Sequence, residues 1–226
     1  MELTTGIQTR RSIRGFLPTP VPRETLEQVL RLATRSVSSE NTQPWQITVV
    51  TGETLTKICR SNMESLLQDE PADYVYHSPT GVYRRRSIDV AKQLFSAMDI
   101  ARENREKRSW WSQRGYRFFD APVGIVLSAE QSLSTDIMHF DLGCLTQNIC
   151  LAAMEYGLGT CVAVQPVTYQ KGLREHLHFP DSQRIVCAIA IGYPDWEFPA
   201  NQVVSTREEL DQVTDWYGFD EKETCD

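Results

Sequence analysis

Arg10-Arg11-Ser12-Ile13-Arg14, followed about two dozen residues later by Ser38-Ser39-Glu40-Asn41-Thr42-Gln43-Pro44-Trp45, is the most informative pair of stretches in the chain. The first sets three guanidinium groups and a hydroxyl within five residues. The second is rich in amides and hydroxyls and is closed by Pro and Trp. Guanidinium forks match phosphate oxygens, and amide and hydroxyl groups match the edges of a hydrogen-bonding ring. The two halves together suit a ligand with phosphate at one end and a flat polar ring at the other. Taken singly, each half also reads as an ordinary solvated turn.

Working outward, the length of 226 residues fits one domain with enough chain to bury a core. Hydrophobic residues make up 41% and charged residues 23%, the balance of an ordinary globular protein. A formal charge of −7 argues against a dedicated nucleic-acid binder, whose footprint is basic. The composition predicts no membrane span, and Met1-Glu2-Leu3-Thr4 lacks the basic and apolar regions of a signal peptide, so a cytoplasmic protein is expected. Six cysteines, at 59, 144, 150, 161, 187 and 225, show no C-x-x-C and read as thiols rather than disulfide staples. His176 and His178 lack the partners that would complete a metal site, and none is expected.

Apolar spacing predicts a helix over 22–34 (Leu26, Val29, Leu30, Ala33), with Pro22 in its first turn. Gln46 to Val50 alternates as a strand does, and Thr54 to Leu66 is helical in pattern. Residues 67–83 turn acidic and then aromatic, with two prolines and a glycine, and are expected to form a mobile lid. One long helix is predicted over 84–108. Strands follow at 122–128, 160–164 and 185–191. Between the first two lies a helix over 136–156, apolar over so wide an arc that it must be covered by its own domain or by another subunit. A short helix is predicted from Arg207. Interleaving without a βαβ rhythm favours an α+β fold, a central mixed or antiparallel sheet flanked by helices.

R-R-S-I-R, the Pro20–Ala33 pattern P-x-P-x-x-x-L-x-x-V-L-x-x-A and S-S-x-N-x-Q-P-W resemble the opening of the nitroreductase family, the FMN-dependent oxidoreductases. Gly157-Leu158-Gly159-Thr160-Cys161, Ile191-Gly192-Tyr193-Pro194 and Arg207-Glu208-Glu209-Leu210 extend the resemblance over nearly the whole chain. Gly115 to Val123 is similar to the nitrobenzoate-reductase-like branch. What the resemblance implies is an intertwined homodimer with two flavins at the subunit interface and residues 195–226 wrapping the partner.

By the same resemblance, Arg10 and Arg207 would grip the FMN phosphate, with Arg11 nearby. Ser12 would hold the ribityl chain, and Arg14 would approach the ring where negative charge develops on reduction. Ser38, Ser39, Asn41 and Gln43 would meet the flavin from their loop. The backbone around Val162 and Ala163 would face N5. Family members usually carry Pro where Val37 stands here. The Gly157-x-Gly159 turn leaves a predicted helix instead of opening one, so it is no dinucleotide fingerprint, and NAD(P)H would visit as a transient reductant.

No catalytic triad or carboxylate pair is visible, as expected where a cofactor carries the chemistry. The basic run Arg84, Arg85 and Arg86, continued by Arg102, Arg105, Lys107, Arg108, Arg114 and Arg117, reads as solvated helix faces or as an entrance for anions. Glu40, Tyr83 and Arg84 are candidate substrate contacts, and Tyr74, Tyr76 and Tyr83 candidate lid residues. The implied activity is NAD(P)H-driven, ping-pong reduction of nitroaromatic or similar electron-poor aromatic compounds. Alternatives on the same scaffold are reductive dehalogenation, heterocycle dehydrogenation and a non-catalytic flavin-binding module.

Overall fold

A computed structural model describes residues 1–219. Four strands form its sheet: β1 (Gln46–Thr51), β2 (Val123–Glu130), β3 (Gly159–Ala163) and β4 (Gln183–Gly192). They lie in the order β1-β2-β4-β3, and every neighbouring pair is antiparallel. Both faces of the sheet are covered, which explains why β2 is buried along nearly its whole length.

On one face, alternate residues Val123, Ile125, Leu127 and Ala129 of β2 meet two helices, α2 (Arg23–Ala33) and α6 (Thr135–Glu155). Leu26, Val29 and Ala33 of α2 supply one apolar stripe, and Met138, Leu142, Leu145 and Ile149 of α6 supply the other. On the opposite face, Val126 of β2 and Ala188 and Ala190 of β4 pack against Ile58 of α3 (Gly52–Leu67) and Leu173 of α7 (Lys171–Leu177). Each fully buried Val, Leu or Ile contributes about 1.5–3 kcal/mol, so these two stripes hold the layers together.

Four segments differ from the sequence pattern. The helix expected over 84–108 is two helices, α4 (Gly81–Ala97) and α5 (Arg105–Tyr116). The break follows from Asp99, in left-handed backbone at φ 49°, and from Asn104, whose side chain accepts a hydrogen bond from the Lys107 N–H at 2.9 Å and caps α5. The helix expected from Arg207 is a single 3-10 turn at Leu210–Gln212. Helices α1 (Leu3–Thr9) and α7 were not legible from periodicity. The expected C-terminal extension is described as far as residue 219; its last seven residues, Cys225 included, lie outside the described part. No described helix is long and apolar enough to cross a membrane.

Gly157 ends α6 in left-handed backbone at φ 69°. Its N–H donates to Met154 O at 3.1 Å, and the Leu158 N–H donates to Ala153 O at 3.0 Å. This pair of bonds is the Schellman stop that a left-handed glycine permits. The chain then reverses directly into β3.

Candidate functional site

The Arg10–Arg14 stretch is positioned by β3. The Ile13 N–H donates to Thr160 O at 2.9 Å, and Ser12 forms a parallel bridge with Thr160. So close an approach needs Gly159, where an added Cβ would stand 2.5 Å from Ile13 Cγ1 and 2.9 Å from Pro194 Cγ. The next residues are gripped by Asn201, which is fully buried. Its Oδ1 accepts from the Arg14 N–H at 2.6 Å and the Gly15 N–H at 3.2 Å, and its Nδ2 donates to Gly15 O and Asp195 O, both at 2.7 Å. Arg114 of α5 adds a second clamp, donating to Arg14 O at 2.8 Å and Phe119 O at 3.0 Å while pairing with Asp120 at 2.8 Å. Phe118, Phe119 and Asp120 are all left-handed, at φ 54–59°, a strained run that the Arg114 bonds hold in place.

Held this way, Arg14 lines a cavity of about 1050 Å³ together with Cys161, Val162 and Ala163 at the end of β3. Val162 is 44% exposed, unusual for a strand valine, so the strand edge is open to an occupant here. Tyr74, Tyr76, Trp111 and Tyr116 supply aromatic walls. Tyr74 is held at the cavity because the Asp73 and Tyr74 N–H groups donate to Thr168 O at 2.9 and 3.2 Å, and Asp73, outside the lining, accepts from the Gln170 N–H at 2.7 Å. The middle of the 67–83 excursion is thereby tied to the loop before α7. The cavity lining contains two arginines, Arg14 and Arg108, and no carboxylate. Arg14 makes no ion pair with a described acid. Burial pushes the Cys161 thiol up to about 11, with the Arg14 charge opposing, so it presents no thiolate nucleophile near neutrality.

The amide loop lies elsewhere in the single chain. Glu40, Asn41 and Gln43 are exposed and left-handed, at φ 52°, 59° and 47°. The loop keeps this strained shape because the Gln43 N–H donates to Ser38 Oγ at 3.0 Å and the Ser39 N–H donates to both oxygens of buried Asp141 at 3.2 Å. Beside it runs an uncovered apolar stripe containing Val37, 69% exposed, and Phe140 of α6, 68% exposed. Trp45 packs against the core, as a structural residue does.

Arg10 and Arg11 line a smaller cavity of about 210 Å³ against Gly157–Thr160. Arg11 also lies over the Trp196 ring, 5.7 Å from its centroid. Arg207 is exposed in a third cavity of about 570 Å³ beside Arg85 and Arg86, with its Nη1 donating to Ser205 Oγ at 2.9 Å. Within one chain, therefore, Arg10 and Arg207 line separate cavities. Tyr83 and Arg84 are exposed on α4, with the Tyr83 ring beneath Arg86, and neither lines the large cavity. Asn201 and Asp141 went unread in the sequence as site residues, and Arg108 and Arg114 were read only as members of a basic run forming solvated helix faces or an anion entrance. Asp141 alone carried a local signal, a carboxylate set among the apolar positions of α6.

The family model described as "Nitroreductase family" matches residues 7–193. The chain is 32% identical over 218 residues to a 4-nitrobenzoate reductase of Pseudomonas putida, covering 95% of each. It is 35% identical to a nitrobenzene nitroreductase of Ectopseudomonas oleovorans, covering 92% of this chain and 93% of that one. Among solved structures, an FMN- and NADPH-dependent nitroreductase from Sphigopyxis sp. strain HMH superposes with a TM-score of 0.91 at 30% identity, covering 97% of this chain and all of that one.

Proposed function

The chain belongs to the nitroreductase family, and from that premise we propose that it is an FMN-dependent oxidoreductase that draws on NAD(P)H to reduce nitroaromatic or similar electron-poor aromatic compounds. The observation that carries this reading is the acid-free cavity in which Arg14 stands beside the open edge of β3 between aromatic walls. Its volume suits a tricyclic ring with a second flat molecule against it. FMN, held in this cavity, would supply the hydride and electron transfer between successive flat partners.

The residues of the chain bind, orient and exclude water. Arg14 places a cation where the reduced ring gathers negative charge, and Asn201 and Arg114 fix the backbone that aims it. Backbone groups of Val162 and Ala163 border the ring. Tyr74 and Tyr76, on the inner edge of a lid formed by residues 67–83, shield the bound pair.

The working form in this reading is a homodimer. The stripe through Val37 and Phe140 lies beside the strained 38–43 loop, so a second copy that covers the apolar stripe receives that loop as well. Ser38, Ser39, Asn41 and Gln43 then reach a flavin in the neighbouring copy, together with Glu40 toward its substrate. Arg10, Arg11, Ser12 and Arg207 make up the phosphate and ribityl end, with the described part of the C-terminal segment, residues 195–219, crossing between copies so that Arg10 and Arg207 meet. A cytoplasmic location, where NAD(P)H is at hand, suits such an enzyme.

The purified protein is expected to be yellow, to bleach with NADH or NADPH under argon, and to regain its colour on adding a nitroaromatic acceptor. A colourless protein that takes up no FMN would overturn the reading. Arg207→Ala is expected to weaken FMN retention by about 1.5–3 kcal/mol, the loss of a charge-assisted hydrogen bond. Equilibrium dialysis against FMN measures it, and parent-like retention would show that Arg207 does not hold the phosphate.

A further inference from the structure

The geometry points to Arg108 as a specificity-determining residue that receives an anionic oxygen group, either the carboxylate of an aromatic acceptor or a phosphate of NAD(P)H, in the large cavity. The inference rests on the proposed function and names the charge of the ligands that site prefers.

Helix α5 turns Arg108, Trp111 and Ser112 toward the cavity. Of the other cations of this segment, Lys107 pairs with Asp99, Arg114 and Arg117 pair with Asp120, and Arg105 is exposed outside the cavity lining. Arg108 lines the cavity without a described acid partner. Its guanidinium rests 4.5 Å from the centroid of the Phe95 ring at the end of α4. That contact holds the charge in place without consuming its hydrogen-bond donors, so less side-chain freedom is lost when a ligand arrives. The second arginine, Arg14, belongs to the strand edge and the ring site. In a chain of net charge −7, no carboxylate among the described residues enters this lining, which leaves a field selective for anions.

The test uses FMN-loaded parent, Arg108→Met and Arg108→Lys proteins, with FMN content and thermal unfolding as controls for folding. Steady-state rates are measured with 4-nitrobenzoate and with neutral nitrobenzene, and anaerobic bleaching is followed against NADH and NADPH concentration. If the acceptor is the source of the anion, Arg108→Met raises KM for 4-nitrobenzoate roughly 10- to 100-fold, the scale of one charge-assisted hydrogen bond. Nitrobenzene kinetics and bleaching stay at parent values, and Arg108→Lys recovers most of the loss. If the reductant is the source, the bleaching half-reaction needs more NAD(P)H by a similar factor while both acceptors behave alike. Parent-like kinetics throughout, or equal losses with charged and neutral acceptors at unchanged bleaching, would overturn the assignment. Failure of the underlying reading looks different: the parent itself would bind no FMN.

Discussion

Asn201→Asp is expected to lower folding stability by about 3–5 kcal/mol near neutral pH, the cost of an uncompensated buried charge. The native amide uses both of its ends. Oδ1 accepts from the N–H groups of Arg14 and Gly15, while Nδ2 donates to the carbonyls of Gly15 and Asp195. Aspartate has the same shape and keeps the first pair of bonds. Its second oxygen, however, replaces a donor that stood 2.7 Å from two carbonyl oxygens, and so meets both of them without a proton. The site is fully buried, and no solvent relieves the repulsion. Global stability is typically 5–15 kcal/mol, so the loss is a large fraction of the whole. Urea denaturation of the two proteins measures it, and a difference below about 1 kcal/mol would mean that the Asn201 network is not rigid. Because the same amide fixes the backbone of Arg14, FMN retention is expected to fall with stability.

That clamp also shows where sequence reading stops. The Asn201–Arg14 bond joins residues 187 apart, and the Asp141–Ser39 bond joins residues 102 apart. Asp141 stands out locally as a carboxylate among apolar positions of α6, but no local pattern names the partner of either residue, because a buried amide or carboxylate is chosen by what it meets. Elements governed by burial were legible: α2 through Leu26, Val29 and Ala33, β2 through its apolar run, and α6 through its wide apolar arc. The turn Phe118-Phe119-Asp120 lies at the opposite extreme. Three successive left-handed residues without glycine follow no propensity, and they persist because Arg114 bonds the Phe119 carbonyl and the Asp120 carboxylate.

The split between α4 and α5 was hidden for another reason. Both sides are charged, and the signals that mark it, Asp99 and Asn104, are single residues. Among the arginines of that region, Arg108 differs from Arg105 only in facing inward, which depends on where the break falls. In the R-R-S-I-R stretch, by contrast, Arg14 was read as a ring-side cation, and the fold sets it in the large cavity. The positions of Arg10 and Arg207 in separate cavities were not legible, because they depend on the path of the C-terminal segment across the surface.

Arg14→Glu is expected to cost at least about 3 kcal/mol of FMN affinity, since it removes a charge-assisted contact and places a like charge beside the reducible ring. The fold should tolerate the change. The backbone of Arg14, and not its side chain, carries the bonds to Asn201 and Arg114, and the side chain's own hydrogen bond is a long 3.4 Å contact to Ser12 O. An effect on the flavin with unfolding parameters near the parent's therefore separates ligand electrostatics from collapse of the site. Any flavin that remains should also show a lower reduction potential. A differential loss of about 1.4 kcal/mol corresponds to roughly 30 mV for a two-electron couple. Arg14→Lys, which keeps the charge but not the fork, should retain most of the potential while binding FMN more weakly. Dye-coupled titration of the bound flavin and dialysis against free FMN give the two quantities independently. Should Arg14→Glu bind and reduce its flavin as the parent does, the cation would have no part in the ring site, and the acid-free lining would need another explanation.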